Sequence, residues 1–270
     1  MNEESIIRYH GTGHDRWDLT GRTAVVTGAG GVIGSTVVET LVSAGAHVVA
    51  TDLSLDAAAH VTDPLAGAHP VALDVTDAAA VQAVADGVLA DRDRLDIWCN
   101  IAGIAGTPQT VAEMTDDAFD RIFDTHLMGT LNGCRAAMSV MRPAGAGAIV
   151  NMSSEAVDIH PPTVGAYAVA KAAISMLTRV LSVEVAAVGV RVNAVAPSFV
   201  PSDLSLGRIA GDDAEQERVA YLEWWRRKSP LRELCGPQDI ASQIHYLVSD
   251  ASAFVTGQTL RTNGGITMPW

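Results

Sequence analysis

Tyr167 and Lys171 stand four residues apart in an alanine-rich stretch, a spacing that puts both side chains on one face of a helix. A phenol with an ordinary pKa of about 10 is a poor base at neutral pH. A nearby ammonium favours the phenolate, so the pair can take a proton from an alcohol or return one to a carbonyl. By itself such a pair is common and means little. Ser154 lies upstream, just past the β-rich run Ala148–Ser153, where a hydroxyl can hold a developing alkoxide beside Tyr167. Its neighbour Ser153 is the competitor, a strand-end residue that can face elsewhere.

A second pattern supplies a site for an anion. The apolar run Thr23–Thr27 leads straight into Gly28-Ala29-Gly30-Gly31-Val32-Ile33-Gly34, and a helix follows from about Ser35. Glycines let the chain turn tightly and bring bare backbone near a pyrophosphate, while the helix start points free N–H groups at it. Asp52 ends the next apolar run at the separation where an acid bonds the adenosine ribose hydroxyls, with Leu53 beside it. A carboxylate there repels a 2′-phosphate, and no Arg or Lys is close in sequence, so NAD is expected over NADP. Asp74 and Val75 end a third run and can meet the adenine. Asn100-Ile101-Ala102-Gly103 ends a fourth with small residues that admit the cofactor to the backbone.

Taken in order, these pieces resemble the classical short-chain dehydrogenase/reductase family. The likeness runs from about Leu19 to Met268: the glycine loop, Asp52, Asp74-Val75, Asn100–Gly103, Ser154, Tyr167, Lys171, Asn193-Ala194-Val195-Ala196-Pro197 and Thr256-Gly257. The resemblance implies a doubly wound Rossmann-type fold with Tyr167 as acid and base and Ser154 on the substrate oxygen. It implies that Lys171 also binds the nicotinamide ribose, and that Pro197, Val200 and Ser202 border the nicotinamide. Assembly as a homotetramer is a further implication.

Four positions depart from the family pattern. Val32 replaces the usual second glycine, Ile101 the second Asn of its motif, and Ser198 the Gly after Pro197. His126 replaces an Asn that helps route protons through water. An imidazole donates, accepts and titrates near neutrality, so His126 can serve that relay. It can equally be a satisfied interior histidine.

Seven β-rich runs must carry these residues: Thr23–Thr27, His47–Asp52, Pro70–Asp74, Leu95–Asn100, Ala148–Ser153, Val190–Ala196 and Gln258–Thr262. Helical periodicity falls between them, at Ser35–Ala44, Ala78–Ala90, Thr115–Met141 and Ala166–Val188. The alternation predicts one α/β domain, residues 21–270, with about seven parallel strands and helices on both faces. Residues 1–20 read as an arm and residues 198–235 as a substrate lid.

The composition agrees. Of 270 residues, 48% are apolar but only 5% aromatic, which suits a core of Ala, Val, Leu and Ile. A net charge of −13 argues against nucleic-acid binding. Three scattered cysteines suit a reducing cytoplasm. No apolar run approaches the roughly 20 residues that span a bilayer, so no membrane partner is expected. His10 and His14 have glycines between them, and no metal site is expected there.

These features point to an NAD-dependent dehydrogenase of a small secondary alcohol or ketone. Reduction of a 3-oxoacyl thioester is the runner-up, although Asp52 counts against the NADPH such roles usually need. A non-catalytic NAD-binding protein is disfavoured by the intact Ser154, Tyr167 and Lys171. An extended-branch epimerase lacks room beyond Ser198. The substrate pocket is expected from Ile104–Gln109, Glu155–Val164 and Phe199–Leu231. Trp224 and Trp225 can wall it or pack elsewhere. Glu155, Asp158 and His160 can bind polar substrate groups or face solvent.

Overall fold

A computed structural model describes residues 13–160, 162–207, 209–211 and 213–269. His10, Asp212 and most of the proposed arm lie outside the described residues. Seven strands form one parallel sheet: β1 (Thr23–Thr27), β2 (His47–Asp52), β3 (Ala68–Ala72), β4 (Ile97–Asn100), β5 (Gly147–Met152), β6 (Val190–Val195) and β7 (Thr259–Leu260). Their order is β3-β2-β1-β4-β5-β6-β7, so the chain reverses direction across the sheet between β1 and β4. In α/β sheets that switch point opens the crevice where ligands bind.

The helices are α1 (Val32–Ser43), α2 (Leu55–Thr62), α3 (Ala78–Arg92), α4 (Asp116–Phe123) and α5 (Gly129–Ala144). They continue with α6 (Ala156–Ile159), α7 (Gly165–Val185), α8 (Asp203–Leu206), α9 (Ala214–Lys228) and α10 (Pro237–Val248). Alternation along the strands sorts the core into two layers. Ala24, Val26, Val48, Ala50 and Val150 face Leu41 of α1 and Ile240, Ile244 and Leu247 of α10. Val25, Val49, Trp98, Ile149 and Val192 face Val81 and Val88 of α3 and Val140 and Met141 of α5. Side chains fix several helix starts: Ser54 caps α2, Asp77 caps α3 and Thr115 caps α4.

The elements differ from expectation where hydrogen bonds, not propensity, set the ends. The third strand runs two residues earlier, because its pairing with β2 closes at Asp52 opposite Ala72. Asp74 instead makes a turn, its carboxylate accepting from the Thr76 amide and hydroxyl. The fourth strand starts at Ile97, since Asp96 spends its carboxylate on the Thr23 amide and Arg94. The last strand keeps only two residues, paired with Ala194 and Val195. The segment expected as helix at Thr115–Met141 is helical from Asp116 onward, with a π-helical turn, Asp124–Met128, between α4 and α5. Residues 198–235 carry two helices, α8 and α9, rather than running as one loop.

Residues 13–20 are docked. Gly13–Trp17 forms a 3₁₀ turn whose Trp17 ring contacts His245 and Tyr246, and Leu19 is fully buried. Along α7, Val169, Met176, Val180 and Val183 stay exposed on one side. No helix among the described residues is long and apolar enough to cross a membrane.

A buried polar chain pins the centre of the sheet. The Trp98 indole donates to Asn100 Oδ1 (2.8 Å), Asn100 to Asn151 (2.9 Å) and Asn151 to Thr178 of α7 (3.0 Å). All members are satisfied, so the chain rigidifies the sheet beneath the site at little cost. Gly133 of α5 lies against it, and a Cβ there would overlap Asn100 Oδ1 and sit 2.5 Å from the Trp98 nitrogen. Gly87 of α3 has nothing within 4 Å of its missing Cβ. Gly133→Ala is therefore expected to destabilise the protein by about 2–3 kcal/mol. Gly87→Ala should stabilise it by ~0.5–1 kcal/mol. Thermal melting of both variants checks the pair of signs.

Candidate functional site

The glycine loop leaves β1 with Gly28 at φ +69°, a conformation side chains rarely adopt. A Cβ on Gly28 would come within 2.7 Å of the Ala102 backbone, so the loop after β4 rests directly on it. A Cβ on Gly34 would overlap the Gly28 carbonyl. Gly31 differs, for the protein offers its missing side chain only ordinary contact, 3.4 Å from that same carbonyl. The space a side chain would fill there belongs to the cleft. Gly31 also starts α1 with no side-chain cap, unlike α2, α3 and α4, so the Val32, Ile33 and Gly34 amides keep their donors free. Bare backbone and uncapped amides fit a pyrophosphate.

Asp52 closes the far side of the loop. Its Oδ2 accepts from the Gly30 amide (3.0 Å) and its Oδ1 from the Ser54 amide (3.2 Å). It forms no ion pair among the described residues. Leu53 beside it is 75% exposed and offers an apolar surface at the cleft rim. Val75 is buried against Gly129, and its carbonyl accepts from Asn132 (3.0 Å). The Ile101 and Ala102 amides both donate to Thr27 Oγ1, tying the ends of β4 and β1 together. Asn100 can serve the cleft through its backbone alone, because its side chain belongs to the buried chain through Trp98 and Asn151.

Beyond the loop lies a cavity of about 550 Å³. Its wall includes Ile33 of the glycine loop, Ser154, Tyr167, Pro197, Val200 and Ser202. Ser153 resolves as the inward-turned neighbour, bonding the Lys171 carbonyl and Ser175 of α7. The Ser154 hydroxyl accepts from the Ala156 amide (3.1 Å) and lines the cavity with Tyr167, whose phenol it lowers. Lys171 is 2% exposed, and its ammonium donates to the Met152 carbonyl (2.6 Å) while lying 5.5 Å from the Tyr167 ring centre.

Electrostatics correct one expectation. Burial pushes the Tyr167 phenol up, only partly offset by the Ser154 hydroxyl, so Lys171 does not by itself make it acidic. The reason is that Lys171 shares the dry environment, and burial pulls its own pKa down to about 7. His126 is likewise pulled down to about 3, by burial first and then by Lys171. It does not titrate near neutrality.

His126 sits in the π-helical turn, a feature that recurs at functional sites. Its ring meets Tyr167 edge to face with centres 5.2 Å apart. Nε2 lies 3.0 Å from the Ile104 carbonyl and 3.3 Å from the Ile104 amide, donating to the one or accepting from the other according to the tautomer, and Nδ1 is buried with no partner among the described residues. Gly103 makes room for the ring, since a Cβ there would lie 2.6 Å from the imidazole. Neutral His126 thus keeps one ring nitrogen unpaired beside Gly103.

Three expected substrate contacts fall differently. His160 is exposed at the end of α6, with φ +48°, and does not line the cavity. Asp158 pairs with Arg261 (2.7 Å). Trp224 is 52% exposed and stands outside the wall, because α9 turns its neighbour inward instead. Trp225 stacks on Phe199 at 5.1 Å, with Tyr221 edge-on to the same ring at 5.2 Å, and all three line the cavity. Tyr221 went unread in the sequence, although its four-residue separation from Trp225 marks one helix face. Glu155 does line the cavity and is 2% exposed.

Comparison with known proteins finds relatives along nearly the whole chain. A family model described as enoyl-(acyl carrier protein) reductase matches residues 28–267. The chain is 34% identical to a 3-oxoacyl-[acyl-carrier-protein] reductase of Salmonella typhimurium, over 92% of this chain and 98% of that one. A short-chain type dehydrogenase/reductase from Mycobacterium marinum superposes with a TM-score of 0.85 at 31% identity, covering 94% and 99% of the two chains. A 7α-hydroxysteroid dehydrogenase, solved with NADH and 7-oxo glycochenodeoxycholic acid, gives 0.85 at 30% identity over 94% and 98%.

The depressed pKa of His126 has a consequence for stability. Below about pH 6.5 the unfolded chain takes a proton on this histidine that the folded chain refuses until about pH 3. Stability from this group is present above that range and is lost as pH falls, by up to about 1.4 kcal/mol per pH unit. His126→Asn should lose distinctly less stability than wild type between pH 7 and pH 4.5 in urea unfolding. Equal losses would refute the assignment.

Proposed function

The chain belongs to the short-chain dehydrogenase/reductase family, and on that premise we propose that it is an NAD-dependent dehydrogenase acting on a secondary alcohol or ketone. The observation that carries this reading is that Ile33 of the glycine loop, Ser154 and Tyr167 line one cavity, with Lys171 buried behind. A dinucleotide would be held by the Val32, Ile33 and Gly34 amides, by Asp52, and by the backbone around Ala102 and Gly103. Bound there, its nicotinamide supplies or accepts the hydride at the carbinol carbon.

The remaining steps belong to the protein. Ser154 holds the substrate oxygen as its charge changes. Tyr167 takes the hydroxyl proton in oxidation and returns it in reduction. Burial holds the phenol up, so it is a proton donor at rest, and oxidation needs added positive charge beside it. A protonated Lys171 and the cationic nicotinamide supply that charge. Neutral His126, with Nδ1 unpaired among the described residues, stands where the family pattern has a carboxamide.

Reduction of a 3-oxoacyl thioester remains the alternative, favoured by the likeness to the Salmonella enzyme. Asp52 weighs against it, because its carboxylate stands with no neighbouring cation where a 2′-phosphate would have to fit. Purified protein is expected to form NADH from NAD and cyclic secondary alcohols. Tyr167→Phe should lower turnover by roughly 10³-fold, and wild-type rates in that variant would end the catalytic reading. Affinity for NAD should exceed that for NADP by at least about tenfold, a difference of ~1.4 kcal/mol. Equal affinities measured by fluorescence titration would remove Asp52 as the selector.

A further inference from the structure

Ser154 stands on a turn between β5, which ends at Met152, and α6, which starts at Ala156. To hold a substrate oxygen, a hydroxyl on a turn must be placed to a fraction of an ångström by its surroundings. Backbone bonds fix the first half of the turn. The Ser153 amide donates to the Val195 carbonyl (2.8 Å) and the Glu155 amide to the Pro197 carbonyl (2.9 Å). The amides of Val157, Asp158, Ile159 and His160 donate within the turn itself.

Side chains tie the second half to the C-terminal segment. Glu155 Oε1 accepts from Asn263 Nδ2 (3.1 Å) and from the Thr267 hydroxyl (3.2 Å). The Asp158 carboxylate accepts from two guanidinium nitrogens of Arg261, at 2.7 and 3.2 Å. Such a fork fixes direction as well as distance. Arg261 follows β7 and α6 follows β5, so the pair crosses the end of β6. The Asp158 side chain is only 12% exposed, which shields the pair more than an ordinary surface bridge. The segment is braced in turn, for Asn263 also donates to the Thr267 carbonyl (2.9 Å) and accepts from the Gly265 amide (3.0 Å). The Thr262 carbonyl accepts from the amide of Ser198 (3.1 Å), which lines the cavity with Ser154.

We propose that the segment Arg261–Thr267 is a clamp that sets where the Ser154 hydroxyl stands, with Asp158 and Glu155 as positioning residues that act through Ser154. The proposal rests on the dehydrogenase reading for what Ser154 does. Asp158 and Glu155 are polar groups beside a cavity, and their partners assign them to the turn. Loosening the clamp costs rate more than affinity, because the bond from Ser154 strengthens as charge develops on the substrate oxygen.

The test is a double-mutant cycle on oxidation of cyclohexanol with NAD. Asp158→Asn is expected to lower kcat about tenfold and to change KM by less than about twofold. In a Ser154→Ala background the same substitution should lower kcat by under about twofold, because the group it places is gone. Thr267→Val takes one donor from Glu155 without altering charge and should follow the same pattern. Arg94→Gln removes an ion pair of similar length (2.6 Å) at the other end of the strands and should leave kcat unchanged. Equal losses from Asp158→Asn with and without Ser154 would overturn the proposal. A second readout needs no turnover. The Ser154 hydroxyl lowers the Tyr167 phenol, so the Tyr167 ring-carbon NMR signal of isotope-labelled, cofactor-free protein should move in Ser154→Ala and move the same way in Asp158→Asn. A signal at its wild-type position in Asp158→Asn would sink the clamp. A signal that moves, in a protein that forms no NADH from any alcohol tried, would uphold the clamp and sink the dehydrogenase reading instead.

Discussion

The amine of Lys171 is buried with one carbonyl as its partner, and the burial it shares with Tyr167 and His126 sets the electrostatic character of the site. An ammonium taken out of water is costly unless it is paired and fully bonded, and no carboxylate pairs with this one among the described residues. Its pKa falls to about 7, while the Tyr167 phenol beside it rises and His126 falls to about 3. Each shift disfavours the charged form of its own group, and burial is the first cause of all three. Such a site responds strongly to any cation brought into it, because the low dielectric that penalises charge also amplifies its effect. The imidazole of His126 is compatible with this environment because it stays neutral.

Holding an amine in a dry pocket demands a rigid frame, and the parallel sheet supplies it. The chain reverses between β1 and β4, so Gly28, Ala102 and Ser154 emerge on one edge from three neighbouring strands. Thr27 ties the first two ends together by accepting from the Ile101 and Ala102 amides. Asn100 and Asn151 join the third and reach Thr178 on the helix that carries Tyr167 and Lys171. Positions that look generic in a strand therefore help to place Ser154, Tyr167 and Lys171. The π-helical turn at Asp124–Met128 serves the same end by aiming His126 at Tyr167 without displacing α5 from the core.

Local spacing made much of this legible. The strand–helix alternation, the glycine loop, Asp52 and the Tyr167–Lys171 separation are all patterns within a few residues, and the fold brings each to the expected edge. What escaped depended on contacts distant in sequence. Asn100 reads as a small residue beside a cleft, yet Trp98 and Asn151 claim its side chain. His160 and Trp224 look like pocket residues by type, but a left-handed backbone at the end of α6 and the rotation of α9 turn them away. The acidity of Tyr167 is not set by Lys171 alone for a related reason, since spacing shows which groups are close and not how dry their surroundings are.

That division separates chemistry from selectivity. The proton-transfer pair is written within one helical turn, and the anion cradle within a single β–α junction. The other end of the cavity is assembled from far apart. Glu155 is held by residues 108 and 112 positions downstream, and Trp225 lines the cavity while stacking on Phe199. Substitutions along residues 198–235 can reshape that end while leaving Tyr167, Lys171 and Ser154 in place. A 3-oxoacyl-[acyl-carrier-protein] reductase and a 7α-hydroxysteroid dehydrogenase are accordingly similar to this chain over nearly its whole length.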